Sequence, residues 1–176
     1  MKKVFALSLS SIILLLTVSI AIAQNSTSSS PEKPNIKSSG GFGAQLWLTD
    51  DPDFYKNWNK PTPGYKLRTV NNALRGKPIF PVVIFAGPGT NEKNLCDVIV
   101  SIVVKTPDGK IYGELPNGNC WQNLPPPPEG NLQISNASMG IVIEEKDPSG
   151  RYTVEATVKD KVKNVELYLK QYFDVK

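Results

Sequence analysis

The chain has 176 residues, with 20 Lys and Arg against 16 Asp and Glu, two cysteines and no histidine. The missing imidazole removes Ser-His-Asp and Cys-His catalysis and most zinc sites at once. Lys2 and Lys3 are followed by an apolar stretch, residues 4–20, and by Ala21-Ile22-Ala23. That order is the pattern of a secretory signal peptide cleaved after Ala23, so residues 1–23 are expected to be removed on export to a bacterial periplasm or beyond. No cysteine follows the cleavage site, so no lipid anchor and no stable membrane attachment are expected. Removal of the two lysines leaves 18 basic against 16 acidic residues, interspersed as in Lys159, Asp160, Lys161, Lys163 and Glu166. With no basic run, nucleic acid is excluded as a partner.

Residues 24–40 are rich in Ser, Thr, Pro and Asn and are read as a flexible tether. Residues 41–176 suffice for a single domain with one core. Within it the pattern predicts strands and no helix. Residues 42–49 form the first strand, and residues 65–70 a weaker edge candidate. Residues 79–86 are almost wholly apolar, with Pro81 expected at an edge or bulge because it lacks a ladder donor. Val98, Val100, Ile102 and Val104 alternate with Ile99, Ser101, Val103 and Lys105 before the turn Thr106-Pro107-Asp108-Gly109-Lys110 and a return strand over 111–115. That is a hairpin. Shorter strands are predicted at 132–135 and 140–145. The last strand, 165–175, puts Val165, Leu167, Leu169, Phe173 and Val175 on one face, with Gln171 marking an expected bulge.

The penultimate strand is the most regular. In Asp147-Pro148-Ser149-Gly150-Arg151-Tyr152, Gly150 supplies the conformational freedom of a tight turn; Tyr152, Val154, Ala156 and Val158 then share one face. The Asp-x-x-Gly-x-Tyr run resembles the tyrosine corner of immunoglobulin-like and fibronectin-III-like sandwiches, in which the phenol caps nearby backbone. The resemblance, carried mainly by residues 147–175, implies an all-β, two-sheet antiparallel immunoglobulin-like sandwich of about eight strands with Tyr152 as its structural corner. Val154 stands where an antibody domain has its second cysteine, so the resemblance is to the more general bacterial class.

Two cysteines in an oxidising compartment have one intramolecular pairing, and Cys96 and Cys120 bracket the hairpin; a structural disulfide is expected. The adjacent Glu144 and Glu145 point to opposite faces of a strand and cannot act as a glycosidase pair. Asp50, Asp51 and Asp53 could offer oxygens to calcium, but without the spacing of a known loop they read as a solvated turn, and no metal or cofactor is assigned. Residues 85–91 lack the Gly-Lys-Ser/Thr ending of a phosphate loop. What remains is aromatic: Phe54, Tyr55 and Trp58 in a polar, proline-ended stretch, and Trp121 before the run 125–128 of prolines. Rings on loops of a rigid sandwich suit a binding face, whereas the plainer alternative has Trp58 plugging an open end and Trp121 packing on the disulfide. The sequence therefore predicts a non-enzymatic exported domain that binds a protein or cell-envelope component through Phe54, Tyr55, Trp58 and Trp121. Carbohydrate binding through Trp58, Tyr55 and Trp121 and a small carboxylate-dependent hydrolase are the alternatives. Coplanar exposed rings would point to sugar.

Overall fold

The computed structural model describes residues 33–60 and 64–176; the expected signal peptide and the first part of the expected tether lie outside them. Ten strands and one short helix follow in order: β1 (Ile36–Ser39), β2 (Phe42–Thr49), α1 (Phe54–Trp58), β3 (Asn72–Ala73), β4 (Pro78–Ala86), β5 (Cys96–Lys105), β6 (Ile111–Leu124), β7 (Gln133–Ile134), β8 (Ile141–Val142), β9 (Gly150–Asp160) and β10 (Val165–Val175). They make two sheets. Sheet A runs β1-β2-β4-β7, with β8 also paired to β4, and sheet B runs β3-β10-β9-β5-β6. All pairings are antiparallel except β3 with β10, which is parallel, so sheet B is mixed.

Alternation builds the core. Phe42, Ala44, Leu46 and Leu48 of β2 meet Val98, Val100, Ile102 and Val104 of β5 and Tyr152, Val154, Ala156 and Val158 of β9 in one buried cluster. Each strand lends every second side chain, as a half-buried strand must. Tyr152 is fully buried. Its ring stacks on Phe173 with centroids 5.0 Å apart and meets Tyr112 edge-on at 5.7 Å. Its hydroxyl donates to the Pro148 carbonyl at 2.9 Å. Arg75 fastens the same turn, its guanidinium donating to Glu144 O (2.6 Å), Asp147 O (3.0 Å) and Ser149 Oγ (2.9 Å).

Several expectations change. Residues 36–39 are not tether: β1 pairs with β2, and Asn35, buried, donates from Nδ2 to Leu46 O. Main-chain hydrogen bonding, to which polar side chains are indifferent, draws this segment onto the sheet. Residues 65–70 form no strand; their main chain bonds to sheet A from Val70 N to Leu48 O at 2.9 Å, and Leu67 packs on the sheet's outer face. Gln171 causes no bulge, because β9 and β10 stay in continuous register with Gln171 opposite Val154. Pro81 sits inside β4 rather than at an edge. Its carbonyl accepts from Ser138 Oγ at 2.6 Å. In an extended strand N–H and C=O of one residue point the same way, so the missing donor faces the gap between β7 and β8 and costs no ladder bond.

Candidate functional site

The helix α1 is the stretch of aromatics that the sequence places on a loop. Five residues cannot hold a helix by propensity, so an anchor is needed. Asp51 provides it. Its Oδ1 accepts the Asp53 N–H at 2.9 Å, and its Oδ2 accepts Asn57 Nδ2 and the Tyr65 hydroxyl, each at 3.1 Å. The Asp53 N–H, more than any other group, holds the Asp51 carboxyl below the usual carboxylate range, with Asn57, Tyr65 and the charge of Arg68 adding to it against the opposing effect of burial. Asp50 forms an ion pair with Arg68 at 2.7 Å. The acidic turn thus anchors α1 and its flanking loop. Among the described residues no three His, Cys, Asp or Glu group together as metal ligands.

Two aromatics of α1 face inward onto the outer surface of sheet A. Phe54 is buried, its ring 5.6 Å from that of Phe80. It joins Val82, Ile84 and Ile134 in a second apolar cluster, against which Trp47, Trp58, Leu67 and Phe80 pack. Trp58 meets Tyr65 edge-on at 6.4 Å and 80°. Trp58 therefore neither plugs an end of the sandwich nor stands free on a loop. Tyr55 is 43% exposed and turns away from the cluster, and its hydroxyl donates to Asn136 Oδ1 at 2.7 Å. Trp121 does not join this group. It lies on β6, its ring 6.0 Å from Phe85 and its Nε1 donating to Pro125 O at 2.8 Å, where it holds the start of the proline run. The ring pairs of the α1 region meet at 41° and 80°, so they form no flat platform.

Cys96 and Cys120 are buried free thiols, not the expected disulfide. The hairpin is longer than predicted and irregular: Cys96 lies opposite Leu124, whereas Cys120 falls between Asn119 and Trp121, the partners of Ile99 and Val98. An offset of more than two residues, at about 3.3 Å each, added to the strand spacing puts the Cα atoms beyond the roughly 7 Å that a disulfide spans. Register shifts at four points of the β5–β6 ladder, helped by the left-handed backbone of Asn117 and Asn123, produce the offset. Burial pushes the Cys120 thiol up to about 12 and raises that of Cys96 as well, where the charge of Asp160 adds to it, which disfavours the thiolate at both.

A groove that the sequence did not disclose runs beside Tyr55. One depression of about 300 Å³ is lined by Phe54, Tyr55, Phe80, Asn136, Ser138 and Met139, among others. It shares Met139 and Gly140 with a second, of about 440 Å³, also lined by Tyr112, Gly113, Val142, Glu144, Lys146 and Asp147. The Tyr112 hydroxyl lies 2.6 Å from both Val142 O and Asp147 Oδ2, bridging the edges of the two sheets. Burial, then Asp147, drives the Tyr112 phenol well above its ordinary range. Such a groove holds neutral hydroxyls, carboxylates and apolar surface, which suits recognition. Of the stretch behind it, the strand expected over 140–145 is present only as β8 (Ile141–Val142), and residues 135–139 ahead of it have neither period 2 nor period 3.6 and carry no signal. Neither a protein-family model nor a curated protein matches this chain, and the site is read from its geometry.

Proposed function

We propose that this chain is an exported, non-enzymatic, immunoglobulin-like β-sandwich that binds a protein of the cell envelope, with Tyr55 and the adjoining groove as its contact surface. The observation that carries the reading is the position of Tyr55: a 43% exposed ring on a helix whose other aromatics are packed away, tethered by its hydroxyl to Asn136 at the rim of the groove. A preoriented tyrosine gives large contact area at small entropic cost. The buried thiols and the absence of histidine support a binding role over catalysis. The dispersed ring orientations favour a protein over a sugar. The buried Tyr152 with its bond to Pro148, in the penultimate strand, supports the immunoglobulin-like assignment.

The test separates binding from stability. Tyr55→Ala in the full chain should abolish capture of the partner from the native envelope fraction while lowering unfolding free energy by only about 1 kcal/mol, since the ring lies outside the buried clusters and its hydroxyl makes one hydrogen bond. Undiminished capture by the variant would remove Tyr55 from the contact surface.

A further inference from the structure

Ile134 pairs with Ile84 and Ile141 with Ile79, so residues 135–140 on this edge stand opposite only residues 80–83 of β4. The chain bows outward. Ser135 N–H reaches Val83 O at 2.8 Å, Ala137 N–H reaches Ser135 Oγ at 3.0 Å, and Ser138 Oγ fills the gap toward Pro81. The N–H and C=O groups of Ser138, Met139 and Gly140 have no hydrogen-bond partner among the described residues. On the β4 side, Ile143 O accepts from Gly76 N–H, whereas Val142 O faces the opposite side, 2.6 Å from the Tyr112 hydroxyl whose one proton it shares with Asp147 Oδ2. Strand alternation then turns the main chain of Gly140 to the Tyr112 side, into the groove. Two tyrosine hydroxyls, Tyr55 on Asn136 and Tyr112 on Val142, fasten the ends of this edge and leave its middle unpaired.

We infer that this edge of sheet A accepts an extended segment of the partner protein by strand addition at 138–140, with an apolar residue in the Tyr55–Phe80–Met139 depression and a Lys or Arg two positions away beside Glu144 and Asp147. The inference rests on the reading of the groove as a protein contact. Unpaired main-chain groups supply the hydrogen bonds of such a mode, and pockets for alternate side chains supply its selectivity. The two depressions meet at Met139 and Gly140, and same-face side chains on an extended chain stand about 7 Å apart, so they serve positions i and i+2. Acidic charge sets the second position. Lys146 is engaged by Glu144 at 2.8 Å, while Asp147 takes Tyr112 and the Glu144 N–H on Oδ2 alone and keeps Oδ1 unbonded.

The probe is the amide-capped, fluorescein-labelled hexapeptide Thr-Thr-Leu-Thr-Lys-Thr, titrated against the full chain by fluorescence polarisation. Saturable binding is expected, weakened about tenfold or more when the peptide lysine is replaced by glutamate, and weakened by N-methylation at alternate peptide residues only. Gly140→Leu should block it as well, because a side chain there fills the groove; its Cβ would stand 3.4 Å from the Phe80 ring, an accommodation the unfolding midpoint checks. The N-methyl series needs no variant at all. Absence of saturable binding, indifference to N-methylation, or a chain that instead self-associates in a manner broken by Gly140→Leu would overturn the inference. Tyr55-dependent capture with a silent peptide series would sink strand addition and spare the protein-binding reading. A period-2 N-methyl pattern with Tyr55-independent capture would do the reverse.

Discussion

The two sheets present opposite solutions to the same problem, that of a face turned away from the core. The outer face of sheet A carries Trp47, Phe80, Val82, Ile84 and Ile134, and the chain covers it with Phe54 and Trp58 of α1 and with Leu67. The outer face of sheet B carries Lys105, Glu155, Lys159, Glu166 and Lys170 with Thr153 and Thr157, and among the described residues nothing covers it. Glu155 lies 2.6 Å from Lys105 and 3.0 Å from Lys170, bridging three strands, and Lys159 reaches Glu166 at 3.5 Å. Composition decides the difference: apolar area left in water would cost about 25 cal/mol per Å², whereas charged and hydroxylated side chains are already well solvated. The cover on sheet A also fixes where function can sit, because packing Phe54 and Trp58 inward is what turns Tyr55 outward beside the groove.

The largest effect should come from uncovering sheet A. Phe54→Ala is expected to cost about 3 kcal/mol or more, for lost apolar burial plus the cavity it leaves, measured by denaturant unfolding. If the variant unfolds like the parent, the second cluster is a loose flap and the contrast between the faces disappears. Trp58→Ala should also destabilise, by less, since that ring is only partly buried.

How much of this was legible depended on periodicity. β5, β9 and β10 alternate over ten or eleven residues with one face buried, and reading every second side chain gave both strand and core. The unbroken apolar run of β4 held a further signal: a strand apolar on both faces needs two coverings, and the second had to come from elsewhere in the chain. The cover was invisible because α1 is too short for a helical period and is held by Asp51 contacts to Asn57 and Tyr65 rather than by its own pattern. The cysteine pairing failed for a related reason, since register shifts inside the hairpin slide Cys120 past Cys96 without altering the composition of either strand. The groove edge, shaped by a bow in an irregular segment, depends on contacts from three distant elements, α1, β4 and β6, that no local window contains.

A middle-sized effect should distinguish the carboxylate that anchors the cover from the one that bridges the bare sheet. Asp51→Ala removes the acceptor of three donors and is expected to cost about 1–2 kcal/mol. Glu155→Ala breaks two solvent-screened pairs and should cost under about 1 kcal/mol. Both carboxyls titrate below their ordinary range in the folded chain, Asp51 chiefly through the Asp53 N–H and Glu155 chiefly through Lys105. A depressed folded pKa means stability that is fully present above the unfolded value, about 4, and that fades as pH falls through the folded one. Unfolding free energy should therefore drop on acidification below pH about 4, and Asp51→Asn should flatten part of that slope. An unchanged acid slope in Asp51→Asn would show that the turn holds α1 without its charge.

The smallest effect should belong to Tyr168, at 66% exposure the most exposed ring on the bare face, with a hydroxyl that donates to Glu166. Alanine would be a poor probe, because strand propensity alone spans about 1 kcal/mol and would obscure the loss of the ring. Threonine keeps a β-branched residue in the strand and sets it opposite Thr157, a cross-strand partner of the same type. If the outer face of sheet B needs no cover, Tyr168→Thr should change unfolding free energy by less than about 0.5 kcal/mol. A loss above 1 kcal/mol would mean that the ring shelters the strand beneath it, and sheet B would then differ from sheet A in degree only. The same variant should leave partner capture intact, since Tyr168 lines neither depression of the groove beside Tyr55. Loss of capture with stability preserved would instead move the contact surface from the covered sheet to the bare one.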